Sequence, residues 1–392
     1  MKRRVFYIPG FDPFPPRRYR ELYRREGQEQ ARIAGYQLDQ YKANLKTGYG
    51  WRAELCDEAG KSEAEIEVLM WSDIVKTSMS SGIFFTYLNM LKTAWIYITT
   101  ATLFDIVKLR KGPVIAALYP IGFLIVQLAI ALGVAYGVSR LLLAIHPMLS
   151  LAALLIIWPV LALFQKYDHK VFAFYLMQDY AHSAKLRGAY PPELKERLRQ
   201  FKEKISVALT EEWDEILVVG HSSGAHLAVS VLAELSRDGH LKQATCPLGF
   251  LSLGQVVPMV AFLPDAKQLR QDLRDLSESD DLTWIDVTAP GDGCSFALCD
   301  PVAVCGVARD TKKWPLVLSA AFTQTLSASK WKALRWRFFR LHFQYLCAFD
   351  HAEAYDYFQI TAGSKTLAAR FMGRAPSKSR ILTPTARYRA LC

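Results

Sequence analysis

Ile216-Leu217-Val218-Val219-Gly220-His221-Ser222-Ser223-Gly224-Ala225-His226-Leu227-Ala228 sets the architecture of this chain. Four β-favouring aliphatic residues run into Gly-His-Ser-Ser-Gly. Apolar positions then recur at helical spacing, at Ala225, Leu227, Ala228, Val231, Leu232 and Leu235. Strand, tight turn and helix follow one another in the order that a G-x-S-x-G nucleophile elbow needs. Such an elbow holds its serine at a strained corner, so Gly220 and Gly224 remove the Cβ atoms that would collide there. Ser222 is thereby the candidate nucleophile, and the Ser223 N–H at the helix start is aimed at a developing oxyanion. The motif alone recurs by chance; the strand before it and the helix after it make it specific.

At these residues the chain resembles the α/β-hydrolase superfamily, and in layout its lipase and esterase members. The resemblance covers the polar flanks of the sequence and not its apolar middle. It implies an α/β fold with a mostly parallel sheet flanked by helices, and the chain order Ser, acid, His. It also implies a second oxyanion N–H from a glycine loop after an early strand. Val5-Phe6-Tyr7-Ile8 reads as a buried strand closed by Pro9-Gly10-Phe11-Asp12. Gly10-Phe11 is similar to that loop, which makes Phe11 the second donor; an ordinary Pro-Gly turn accounts for the same residues.

Outward from the elbow, 392 residues leave room for one large domain with an insertion, or for two domains. Apolar residues reach 51% and crowd the middle, and 48 basic against 37 acidic residues give a net charge of +11. Such an excess suits nucleic acid or an anionic membrane. The sequence has no zinc finger, RNP-like strand or helix-turn-helix, so no nucleic acid is expected; membrane lipids with anionic headgroups are. Seven scattered cysteines without C-x-x-C fit reduced thiols in a cytosolic compartment. Cys294, Cys299 and Cys305 lie close together, but no histidine joins them at zinc-ligand spacing, so neither metal nor organic cofactor is expected.

Met1-Lys2-Arg3-Arg4 precedes too short an apolar run for a signal peptide, which keeps the N-terminal part cytoplasmic. Residues 19–34 read as a helix, and 51–55 with 64–71 as a strand pair around Asp57-Glu58-Ala59-Gly60. Residues 84–109 are aromatic and apolar, and read as a helix lying in the membrane interface. Residues 113–138 and 141–164 are uncharged runs broken at Arg140, each long enough to cross ~30 Å of hydrocarbon. Lys108, Arg110 and Lys111 precede the pair, and Lys166 and Lys170 follow it. The connecting turn offers Arg140 alone, so the positive-inside rule puts both flanks in the cytoplasm. Helices are expected at 171–187 and 191–209, and strands at 248–254 and 283–288.

For the acid, Thr283-Trp284-Ile285-Asp286-Val287-Thr288 reads as a strand with the turn Ala289-Pro290-Gly291-Asp292-Gly293 at its end. A carboxylate there is rigidly placed to orient an imidazole, which favours Asp292. Asp300, in Cys299-Asp300-Pro301-Val302, resembles lipase acid loops and is the alternate; a turn aspartate bonding its own backbone is the plain reading of either. Of eight histidines, His146 is in the apolar block, His169, His182 and His240 fall outside the expected order, and His221 and His226 flank Ser222. His342 and His351 remain, and family layout together with the apolar segment before His342 favours the former. A core histidine between aromatics is the plain alternative. Residues 330–340 interleave Lys and Arg with Trp and Phe, as a surface pressed on anionic headgroups does.

The expected organisation is therefore residues 1–80 as the first part of a hydrolase domain, 81–112 as an interfacial region and 113–165 as two transmembrane helices. Residues 166–373 carry the second part with the catalytic residues, and 374–392 form a basic, extended tail. The expected activity is membrane-anchored serine ester hydrolysis of lipid-like substrates. The alternatives are a catalytically inactive hydrolase-fold scaffold that binds a partner, and a thioesterase or transferase. Acyl chain, headgroup and oligomeric state are not legible.

Overall fold

Strands whose residues are apolar throughout are stable only when both faces are covered, and the chain covers them with helices. The computed structural model describes residues 1–392 except Asn44, Lys46, Thr47, Ser81, Glu353 and Ala354. Among the described residues the strands are β1 (Lys2–Ile8), β2 (Gln37–Lys42), β3 (Tyr49–Asp57), β4 (Gly60–Val68), β5 (Glu215–His221), β6 (Leu248–Leu253), β7 (Leu282–Thr288) and β8 (Leu316–Ser319). They form one sheet in the order β2-β3-β4-β1-β5-β6-β7-β8. Only β2–β3 and β3–β4 pair antiparallel; the other five pairings are parallel. Every residue of β5 and β6 is buried, and apolar clusters lie on both faces of the sheet. Arg3 and Glu215 join β1 to β5 through a buried ion pair at 2.5 Å, with Arg3 also donating to the Gly363 carbonyl.

The edge strands β2 and β8 go beyond the strands expected from sequence. Gln-Leu-Asp-Gln-Tyr-Lys is largely polar and β8 has four residues, so neither carries the apolar signature of a central strand. From β1 the chain passes through α1 (Arg17–Ala34) to β2, β3 and β4 on one side. It returns through a long insertion to β5 on the other side of β1. The loops leaving β1 and β5 therefore face each other where strand order reverses, the crevice in which open α/β sheets place their sites.

That insertion contains α2 (Ile83–Thr99), α3 (Lys111–Leu143), α4 (Pro147–Lys166), α5 (Ala173–Ala184) and α6 (Pro192–Ala208). α4 passes through a 3-10 turn at Ala153–Ile156. α3 and α4 are long and apolar enough to cross a membrane, and both join the sheet-bearing body at the end away from their shared turn. α2 is built inside out. Phe84, Phe85, Leu91 and Trp95 point outward, whereas Thr86 and Thr93 are buried. Gln178 of α5 donates to Thr86 Oγ1 at 3.0 Å. In α3, Pro120 has no N–H to give the Ala116 carbonyl, and Tyr180 of α5 donates to that oxygen at 3.0 Å.

One expectation is corrected. Arg140 lies in the last helical turn of α3, and the connection is at residues 144–146 instead; a long cationic side chain is accommodated at such a helix end. α3 begins two residues before, and α4 ends one residue after, the expected 113–165, with Lys111 exposed at the start of α3. The tail from 374 to 392 has almost no regular structure and is anchored: Ile381 bridges to Cys299, Ala386 is buried, Arg387 pairs with Asp105, and Arg270 donates to the Ala390 carbonyl. Ser81, first of the expected interfacial region, and Glu353, beside His351, lie outside the described residues.

Candidate active site

At the end of β5 the backbone of Ser222 turns to φ +57°, ψ −124°, a region that a residue with a Cβ occupies only under strain. What enforces the turn is close packing. A Cβ on Gly220 would come 2.7 Å from the Gly224 carbonyl, and one on Gly224 would run into the Ile8 carbonyl. The helix α7 (Ser223–Arg237) starts at the next residue, so the Ser223 N–H has no intrahelical acceptor. Gly10 presses against the serine; a Cβ there would sit 3.2 Å from Ser222 Oγ. The loop carrying Phe11 thus runs directly beside the hydroxyl. Trp71 donates to the Pro9 carbonyl at 2.9 Å, Tyr175 donates to the Phe11 carbonyl, and Tyr19 donates to Asp12 at 2.7 Å, which together fix that loop.

Asp292 and His342 meet, with Oδ2 and Nδ1 2.7 Å apart. Asp292 stands after β7 and His342 in the short helix Phe338–His342 that follows β8. Burial by itself pushes the Asp292 carboxyl up. The His342 imidazole, the Cys294 N–H at 2.9 Å and Ser295 outweigh burial and hold it below its ordinary value. Because an ionised carboxylate only accepts, Nδ1 of His342 carries the proton. Nε2, the nitrogen left over, is buried and makes no hydrogen bond, including to the Ser222 hydroxyl.

His342 is tied back to the elbow through its main chain. His221 Nε2 lies 3.0 Å from the His342 carbonyl, and since a carbonyl only accepts, His221 is the donor. Burial depresses His221 to about 3, so it stays neutral and keeps that bond. His226 packs instead on Tyr190, with Nδ1 3.0 Å from the phenol oxygen.

The alternates are placed elsewhere. Asp300 caps the helix Pro301–Val304 by accepting from Val302 and Ala303 and pairs with Lys312 at 2.7 Å, with no histidine beside it. His351 is exposed, and its N–H donates to the Thr325 carbonyl. A residue that sequence reading missed is Tyr345, whose hydroxyl donates to Asp292 Oδ2 at 3.0 Å and accepts from the Ala289 N–H at 2.9 Å. Its signal was the three-residue step from His342, which puts both side chains on one face of a helical turn.

Asp292, Cys294 and His342 also offer ligand atoms within 4.8 Å of one another, which could hold a metal ion. Burial pushes the Cys294 thiol well above its usual range, against the thiolate that a soft metal needs. Comparison with family descriptions, curated proteins and solved structures finds no match for this chain.

Proposed function

We propose that this chain is a membrane-anchored serine hydrolase of the α/β-hydrolase type that cleaves ester bonds. The strained Ser222 backbone facing the Gly10–Phe11 loop carries the reading: at a cost of about 1–3 kcal/mol it holds a half-buried hydroxyl at the strand-to-helix corner, beside the helix N-terminus. The strand order supports it, with Phe11 after β1, Ser222 after β5, Asp292 after β7 and His342 after β8.

In this mechanism Ser222 Oγ attacks the ester carbonyl carbon as His342 Nε2 takes its proton. Asp292 holds the Nδ1–H and stabilises the imidazolium, and Tyr345 holds Asp292. The N–H groups of Ser223 and Phe11 receive the oxyanion. The imidazolium returns the proton to the departing alcohol, and water then releases the acyl group by the same route. Nε2 has no partner before substrate binds; catalytic hydrogen bonds commonly tighten only in the complex.

The hairpin of α3 and α4 would lie in the bilayer with both halves of the body on one face of it. The basic residues flanking the pair favour the cytoplasmic face. The unpartnered Nε2 is also the observation that favours the second reading, a hydrolase-fold scaffold without turnover. Turnover of a soluble p-nitrophenyl ester separates the two. The proposed chemistry gives measurable hydrolysis that falls by about 10⁴-fold or more in Ser222→Ala. A wild-type rate no higher than that variant's supports the scaffold.

A further inference from the structure

Beside the site is a cavity of about 1280 Å³, larger than the ~300–1,000 Å³ that encloses a drug-sized ligand. Both parts of the molecule build it. Cys294, two residues after Asp292, and Phe343, next to His342, form part of its wall; Ile115 and Ala116, in the first turns of α3, form another. α3 starts close to the acid loop, since a Cβ on Gly112 would come 3.2 Å from Gly293 Cα.

The walls are divided by chemistry. Ile115, Tyr119, Phe172 and Phe338 supply an apolar side. Arg18, Lys170, Arg337 and Arg340 supply exposed cations; among the described residues none of the four makes a close ion pair, and Arg18 alone acts on a carboxylate of the wall, that of Asp12, through space. The acids on the same wall are already engaged: Glu21 by Arg24, Glu26 by Arg25, and Asp12 by the Tyr19 hydroxyl and the Phe14 N–H. Arg18 lies over the Phe14 ring, its guanidinium carbon 3.8 Å from the centroid, a contact that uses the face of the guanidinium and not its N–H donors. Free cations are common on surfaces. Here they converge on a cavity whose facing wall is the foot of a helix long enough to cross a bilayer.

We infer that this cavity takes a membrane lipid with a phosphate-bearing anionic headgroup. The phosphate lies against Arg18, Lys170, Arg337 and Arg340, and an acyl chain lies along Ile115, Tyr119 and Phe172. That this lipid is also the substrate rests on the hydrolase reading above, with the ester carbonyl presented past Cys294 and Phe343. Cleavage then consumes one water and releases a fatty acid and the corresponding alcohol.

The test uses the full chain in a neutral detergent and a fluorescent medium-chain phosphatidylglycerol, read by anisotropy. R337E/R340E is expected to weaken binding about tenfold or more, and Ile115→Trp, which fills the apolar side, to weaken it as well. Inorganic phosphate at matching concentration leaves the probe bound. Equal affinity for wild type and R337E/R340E overturns the inference, as does full displacement by inorganic phosphate. Labelling of Ser222 by a fluorophosphonate is scored separately. Probe binding without labelling upholds the cavity and removes the hydrolase; labelling without probe binding does the reverse.

Discussion

Aliphatic residues dominate both β5 and the α3–α4 hairpin, yet they face opposite ways. Ile216, Leu217, Val218 and Val219 of β5 are fully buried, while Leu141, Ile145 and Leu155 of the hairpin are 72%, 73% and 78% exposed. Polar groups invert likewise, with Gln127 of α3 buried among exposed aliphatics. Composition therefore does not separate the two regions; the direction of the apolar side chains does. One region has folded away from water, and the other is suited to a solvent as apolar as itself.

The same substitution made in each region breaks or sharpens this contrast. Val218→Asp puts an unpaired carboxyl into packed aliphatics, at a cost of several kcal/mol against a typical margin of about 5–15 kcal/mol. The body then fails to fold, read as loss of protease resistance. Leu155→Asp leaves the body folded and costs about 2.5–3.5 kcal/mol of membrane insertion, read as release from vesicles by alkaline carbonate. A Leu155→Asp chain that stays membrane-bound, or a wild type that never was, breaks the contrast.

Within the body, Asp286 is a buried polar exception. Its Oδ1 accepts from Ser252 at 2.6 Å, and burial raises the carboxyl to about 8. In the unfolded chain it ionises above about 3.9. Between those values the folded state keeps a proton that the unfolded state has lost, so stability falls as pH rises through the window. Asp286→Asn removes this dependence. Its stability relative to wild type should rise by roughly 1.4 kcal/mol per pH unit from pH 4 to 8, checked by urea unfolding of the detergent-solubilised chain. A constant difference across that range contradicts the assignment.

The smallest effect is expected at Ser222. Replacing it by glycine, which takes φ +57° without strain, should stabilise the body by about 1 kcal/mol while abolishing turnover. A serine kept for packing alone would lose stability on the same change.

The elbow was legible because its demands are local: a strand period, two glycines where backbones touch, and a helix period afterwards. Asp292 was legible as the turn residue after a strand, and His342 came partly from family layout. Tyr345 was not, because its contact with Asp292 exists only once β7 and the segment after β8 have been brought together. Nor was the metal-like proximity of Cys294 to His342, for the same reason. β2 escaped because an edge strand need not be apolar, and β8 because four residues are too few to show a period. The anchoring of the extended tail was not legible, since a main-chain bridge from Ile381 to Cys299 leaves no compositional mark. Arg140 was taken as a boundary because charge was read without allowing a long side chain to reach past the helix end.

The central claim is that Ser222 is a nucleophile activated through His342 and Asp292. Peptide mass mapping after reaction with a fluorophosphonate tests it most directly. The account predicts a single phosphonylated peptide, modified at Ser222, whose rate of formation falls at least about a hundredfold in His342→Ala and more moderately in Asp292→Asn. An adduct on another residue, or labelling that persists unchanged in Ser222→Ala, would contradict it.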